Sequence, residues 1–253
     1  MTSCALRQGS GRLDARLTPW DERALGFVTA EVTHFEAELA QDAAALLAGL
    51  EQWASALAVR YLFGRVDAND QLLRAALAAG DFRFVETSLT VSRSSAHTLP
   101  AVPQGMRPSL RPAVADDIPT LRRIAQDDFH HGRFLEDPAI DTRAARARTA
   151  NWVEDLVAGG LAYTAESRGR IIGFHAERVH AAERCAELLL TGVAAPYAML
   201  AVPLWVTALE ALGARDIQSC TTLVSAANTG ILNLYARLGF QFNSSLTGFR
   251  KSL

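Results

Sequence analysis

Lysine is almost missing from this sequence: of 25 basic residues only Lys251 is one. Against them stand 27 acidic residues, for a formal net charge of −2. No basic excess exists to neutralise a phosphate backbone, so there is no electrostatic case for a nucleic-acid partner. Cysteine is scarce too. Cys4, Cys185 and Cys220 are far apart and form no C-x-x-C pair, which argues against a disulfide framework and a zinc site alike; no metal is expected. Residues 1–17 hold no apolar core of the signal-peptide kind, and a reducing cytoplasm suits the thiols. The sequence lacks G-x-S-x-G, H-E-x-x-H, a P-loop lysine motif and a dinucleotide G-x-G-x-x-G. One stretch, Leu188 to Leu209, carries no formal charge and is long enough to span a bilayer. Pro196 and Pro203 interrupt it, Thr191-Gly192 sits inside it and no basic cluster flanks it, so a buried strand running into a buried helix is the expectation, and no membrane partner.

What is present points to packed cores. Apolar residues make up 49% of 253, enough for two domains of ordinary size. The sharpest change in composition falls at residues 92–112, which hold four prolines and no apolar period. This predicts a partial α/β domain over residues 1–93, a linker over 94–108 and a second domain over 109–253. In the first domain, strands are expected at 26–35, 59–66 and 82–91. A helix over 41–57 carries Leu46, Leu50, Trp53 and Leu57 on one stripe, and Asn69 is the expected cap of a short helix ending at Gly80. The second domain reads β-α-α-β-β-β-α-β-α-β, with a mixed central sheet and the class α/β.

The most informative segment runs from Asn228 to Phe240. Ile231, Leu234, Tyr235 and Leu238 make one apolar helical stripe that Gly239 can end. On pattern alone Tyr235 is a core residue and Asn228 an N-cap.

Asn228, then Leu234-Tyr235, then Leu238-Gly239-Phe240 resembles the last motif of the GCN5-related N-acetyltransferases (GNATs), and the element order resembles that fold over about 145 residues. The resemblance implies acetyl-CoA as acyl donor and a small-molecule amine as acceptor. Asn228 would then contact the acyl-CoA and Tyr235 would protonate the leaving thiolate. A phenol with pKa of ~10 is protonated at neutral pH and can donate to a thiolate whose conjugate acid lies near ~8.5. Over the whole chain, Trp20 to Phe27, Phe129 to Phe134 and Asn151 to Glu154 look like the two-domain dTDP-fucosamine acetyltransferases, which acetylate an amino-sugar nucleotide. That likeness implies a sugar site at the 129–138 loop, with His130, His131, Arg133 and Phe134 as substrate-binding residues. Read plainly, the histidines are an exposed helix end, and Arg133 can pair with a phosphate or with Glu136 or Asp137.

One part departs from the family pattern. Where a glycine turn should cradle the CoA pyrophosphate, the chain reads Pro196-Tyr-Ala-Met-Leu-Ala-Val-Pro203. Met199 and Ala201 replace the glycines, and the arginine is gone. Cofactor contacts are nevertheless assigned to Val193, Met199, Leu200, Ala201 and Asn228. Pro203 prefers a first helical turn, so the following helix is expected to start late. Glu187, in the central strand, is a candidate general base. The expected function is N-acetyl transfer to a small amine, an amino-sugar nucleotide among the candidates. The competing reading is a non-catalytic or CoA-independent protein that uses the cleft for binding. A homodimer is compatible with either.

Overall fold

The computed structural model describes residues 2–253. The first half contains β1 (Ser3–Gln8), β2 (Gly11–Leu17), α1 (Pro19–Leu25), β3 (Thr29–Glu36), α2 (Ala40–Ala56), β4 (Tyr61–Asp67), α3 (Gln71–Ala79) and β5 (Arg83–Ser94). The second contains β6 (Ser109–Pro112), α4 (Ile118–Asp128), α5 (Arg133–Glu136), α6 (Thr142–Ala158), β7 (Ala162–Ser167), β8 (Arg170–His180), β9 (Cys185–Val193), α7 (Ala201–Ala214), β10 (Ser219–Ser225), α8 (Thr229–Arg237) and β11 (Gln241–Ser252). Between them, residues 95–108 form only one short 3-10 turn, Gln104–Met106.

Helix starts follow their caps. Asp141 accepts from the amides of Arg143 and Ala144 at the head of α6, and Asn228 accepts from Ile231 at the head of α8. For α3 the capping residue is Asp70, which accepts from Leu73 at 2.9 Å, and not Asn69 as expected. Asn69 lies one residue too early for its side chain to reach the third helical amide. The β1–β2 hairpin and α1 were not anticipated. Leu13 and Ala15 are buried on β2 between less buried neighbours, an alternation too short to stand out beside the longer helices.

All eleven strands form one mixed sheet, in the order β1-β2-β3-β4-β11-β5-β10-β9-β8-β7-β6. The order interleaves the halves. The last strand, β11, lies between β4 and β5, antiparallel to both, and β5 lies between β11 and β10. Phe249 on β11 is accordingly buried in the core of the first half, edge-to-face on Phe82 at 5.6 Å. The uncharged stretch from Leu188 resolves into β9, a 3-10 segment (Ala195–Leu200) and α7. Residues Ala195–Ala214 are long and apolar enough to cross a membrane, yet α7 buries Leu204, Trp205, Val206, Ala208, Leu209 and Leu212 in the protein. Helix α7 begins two residues before Pro203, so it does not start late. A proline in the first helical turn gives up an N–H that has no partner within the helix.

Interleaved strands make each half the template of the other. A fragment of residues 107–253 leaves β10 without β5 and β11 without β4 and β5, exposing three strand edges. That fragment is expected to lack cooperative thermal unfolding by circular dichroism, and to regain it when mixed with a fragment of residues 1–106. A sharp transition in residues 107–253 alone would show that β5 is dispensable.

Candidate functional site

Strands β9 and β10 run parallel, but for only three residue pairs, from Ser219↔Cys185 to Thr221↔Glu187. Beyond them they part. Residues 222–225 of β10 stay paired to β5, and residues 188–193 of β9 stay paired to β8. Within β9, Leu190 faces Ala176 and Leu188 faces Glu177, so Leu189 is an extra residue, a bulge at the mouth of the split. Thr222 donates across the gap to the carbonyl of Leu188 at 2.8 Å. Further along, the inner edge of β9 has no strand beside it, and its backbone groups face a cavity of about 860 Å³.

The cavity reaches both faces of the sheet. On the α7–α8 side it is lined by Trp205, Asn228, Ile231 and Tyr235. Tyr235 packs edge-to-face on Trp205 at 5.2 Å and against Phe240 at 4.7 Å. Burial pushes its phenol above the usual range, while the adjacent Thr222 hydroxyl works the other way. The phenol is therefore a protonated donor at all physiological pH. Asn228 uses its side-chain oxygen as the α8 cap, which leaves its NH2 group to the cavity.

On the other side the wall is charged. The lining includes Arg16 and Glu31 from β2 and β3, Arg65 from β4, Glu86, Ser88 and Thr90 from β5, and Arg133, Arg148 and Trp152 from the second half. Most of these charges are matched. Arg16 pairs with Glu31 at 2.9 Å, and Arg148 with Asp21 at 2.7 Å. Arg65 grips Glu86, which is only 2% exposed, through both Nε and Nη2.

Arg133 is different. It is 8% exposed, with its guanidinium over the ring of Phe63 at 4.4 Å. Its nearest carboxylates, Glu31 at 3.6 Å and Glu86 at 4.0 Å, lie beyond hydrogen-bond range and are already held by other arginines. Burial and the nearby Arg65 lower its pKa to about 10. Arg133 pairs with neither Glu136 nor Asp137; Asp137 instead accepts from the Tyr61 hydroxyl at 2.5 Å and meets Arg250 at 3.3 Å. These bonds tie the 129–138 loop to β4 and β11. Gly192 admits Phe129 at the start of that loop, since a Cβ there would stand 2.7 Å from its ring.

The remaining expected site residues are scattered. His131 and Phe134 line the cavity, although Phe134 is chiefly core, against Tyr61 and Phe63; His130 is exposed and outside the lining. Glu187 lies on the rim, half exposed and paired with Arg178 at 2.7 Å. Val193, Met199, Leu200 and Ala201 are not in the cavity wall: Met199 is 75% exposed, and Val193 and Leu200 pack against the cluster of Ala165, Ile172 and Leu204. No residue from 195 to 203 has a positive φ, so this turn does not call for glycine's left-handed freedom. Sequence reading missed Arg16, Glu31, Arg65, Glu86 and Thr191. The one available signal was the alternation of Glu86, Ser88 and Thr90, which also describes a solvated face.

A buried guanidinium that shares two carboxylates at ion-pair distance and hydrogen-bonds to neither carries a cost that a purely structural residue would not. Arg133→Met is therefore expected to leave the melting temperature unchanged or raise it. Arg65→Met strands the buried Glu86 carboxylate and should cost about 3–5 kcal/mol. Denaturant titration of the two variants checks the contrast; equal losses would make Arg133 structural.

No family model matches the sequence, and no curated protein matches it. Solved structures do. A GCN5-related N-acetyltransferase from Sphaerobacter thermophilus superposes with a TM-score of 0.66 at 15% identity, covering 95% of this chain and 76% of that one. A tandem GNAT protein from the clavulanic acid biosynthesis pathway gives 0.65 at 17%, covering 99% and 83%. A GCN5-related N-acetyltransferase from Kribbella flavida gives 0.63 at 12%, covering 99% and 90%. The chain has the GNAT fold, in an arrangement it shares with a tandem member.

Proposed function

We propose that this protein transfers the acetyl group of acetyl-CoA to the amine of a small molecule that also carries an oxyanion, an amino-sugar nucleotide being one such acceptor. The observation that carries the reading is the open inner edge of β9 beside the Tyr235 phenol. Unpaired strand amides are suited to hold a pantetheine arm and the oxyanion of a thioester under attack. Tyr235, its phenol kept protonated by burial, supplies a proton to the departing sulfur. The amine attacks directly from the charged side of the sheet. Arg133 takes the acceptor's phosphate or carboxylate with donors that nothing else uses. Glu187, already paired at the rim, is the weaker candidate for the base.

The exposed Met199 favours a second reading, a GNAT-fold protein that does not bind CoA. Thermal shift separates the two. A ligand of the native state at 100 times its Kd stabilises by about 2.7 kcal/mol. Millimolar acetyl-CoA should raise the melting temperature by a few degrees, and none of that shift should appear in the second case. For catalysis, thiol release from acetyl-CoA is followed with ethylamine, glucosamine 6-phosphate and a nucleotide-linked amino sugar. Tyr235→Phe keeps the ring packing and should lower turnover by roughly 10²–10⁴. Unchanged turnover would return Tyr235 to the core.

A further inference from the structure

The proposed transfer uses two places in the cavity, and β5 sets the distance between them. The first is the mouth of the split, where the acceptor nitrogen meets the thioester. Thr222 marks it by its bond to the Leu188 carbonyl, and Thr222 and Leu223 lie opposite Val91 and Thr90 of β5. The second is Arg133. Its Nε stands 4.0 Å from Glu86 of β5, and its guanidinium lies over Phe63 of β4 at 4.4 Å. Glu86 and Arg65 both lie opposite Gly248 of β11, so this end of the wall spans β4, β11 and β5 at one level.

Thr90 and Glu86 share one face of β5, and the register with β11 is unbroken from one to the other. A strand rises about 3.3 Å per residue, which separates these two positions by about 13 Å. Arg133 stands within 4.0 Å of the Glu86 end, which leaves roughly 10 Å between its donors and the split. No nearer arginine is free to take an anion. Arg16, Arg65, Arg148 and Arg178, the others in the wall, are each held by a carboxylate at hydrogen-bond distance. Arg133 hydrogen-bonds to neither of its two carboxylates. Between the two ends β5 and β10 offer no charge: Ser88 and Ser225 lie opposite each other, with Leu223 next along β10 on the same wall.

We propose that the acceptor is an elongated amine whose oxyanion lies roughly 10 Å from the nitrogen it offers, ω-amino acids being the simplest such class, and that α-amino acids are excluded. The assignment rests on the acetyl transfer proposed above. An α-amino acid holds its nitrogen and carboxyl carbon only about 2.5 Å apart. With its nitrogen at the split, its carboxylate would face Leu223 and the serines and lose water without gaining a charged partner. With its carboxylate on Arg133, its nitrogen would fall far short of the thioester. An acceptor of the right length satisfies both ends at once. The guanidinium fork then fixes the far end of the molecule and, through it, the approach of the amine. Arg133 is thus a specificity-determining residue, and β5 is the spacer that gives it its reach.

Thiol release from acetyl-CoA by the full chain, with two matched series of amines, tests the spacing. One series is glycine, 4-aminobutyrate, 6-aminohexanoate, 8-aminooctanoate and 10-aminodecanoate. The other is the n-alkylamines of the same carbon numbers. Dividing kcat/KM of each carboxylate by that of its alkylamine removes the effect of chain length on apolar contact. An extended chain gains about 1.25 Å per bond, so 8-aminooctanoate spans about 10 Å. The ratio should lie below one for glycine and 4-aminobutyrate and rise roughly 10-fold or more at 8-aminooctanoate, the gain of one charge-assisted pair. Arg133→Met should flatten the ratio, with the loss falling on the KM of the long carboxylates. A wild-type ratio that is flat, or highest at glycine, would overturn the spacing and leave acetyl transfer standing. Transfer to no amine of either series would overturn both. A length optimum that survives in an Arg133→Met protein of unchanged melting temperature would take the anchor from Arg133 and end the proposal. The wild-type series decides the spacing by itself, whether or not the variant folds.

Discussion

The parting of β9 from β10 after three residue pairs is the constraint on which the rest depends. Inside a sheet every backbone N–H and C=O expects a strand on each side, and an unmet group costs free energy comparable to a lost hydrogen bond. Two features keep the strands from closing. The Leu189 bulge turns β9 aside, and β10 is held away by seven residue pairs with β5. Thr222 bridges to Leu188 at the fork and satisfies the first carbonyl that loses its strand. The remaining edge is left to solvent or to a ligand.

The strand that holds β10 away belongs to the other half of the chain, which links the opening of the cleft to the building of its second wall. β5 carries Val91 toward α7 and α8, and it carries Glu86, Ser88 and Thr90 toward the charged side of the cavity. One strand thus anchors the split and lines the space in front of it. The carboxylates there, Glu31 and Glu86, are each claimed by an arginine of the first half, and Arg133 then enters from the second half as surplus positive charge. Docking the 129–138 loop through Asp137 to Tyr61 and Arg250 fixes that surplus at the cavity wall.

Much of this was legible in local pattern. Helices α2 and α8 were visible from their apolar stripes. Tyr235 and Asn228 stood out because motif and stripe coincided, and the structure brings both to the cavity. Strand exchange was not legible, because period-2 alternation says which face a residue takes and nothing about which strand lies beside it. The charged wall followed the same rule: Glu86 on an alternating strand looks solvated until β11 and β10 are known to flank it. His175 sat in an apolar run, where a histidine is usually a satisfied core residue. The register sets it opposite Thr191, a pairing no local pattern announces.

The turn before α7 shows where a motif argument and a physical argument separate. Glycine there was expected to serve both backbone conformation and close approach of a phosphate. The backbone needs no positive φ, so the first reason lapses. Pro203 costs α7 nothing, since the helix begins at Ala201 and the missing N–H would have had no helical partner. What remains is a smaller deficit: one ligand donor fewer, no arginine, and the Met199 side chain standing in solvent at the approach. The Ala201 amide already donates to the carbonyl of Ala198 in the preceding 3-10 segment, which narrows the set of amides free for a phosphate at the head of the 14-residue helix. Each charge-assisted bond forgone is worth about 1.5–3 kcal/mol, so under the proposed acetyl transfer the pyrophosphate end of the donor would contribute less and the β9 edge would have to contribute more. In that reading the seat of donor affinity would lie at the split in the sheet and not at the loop.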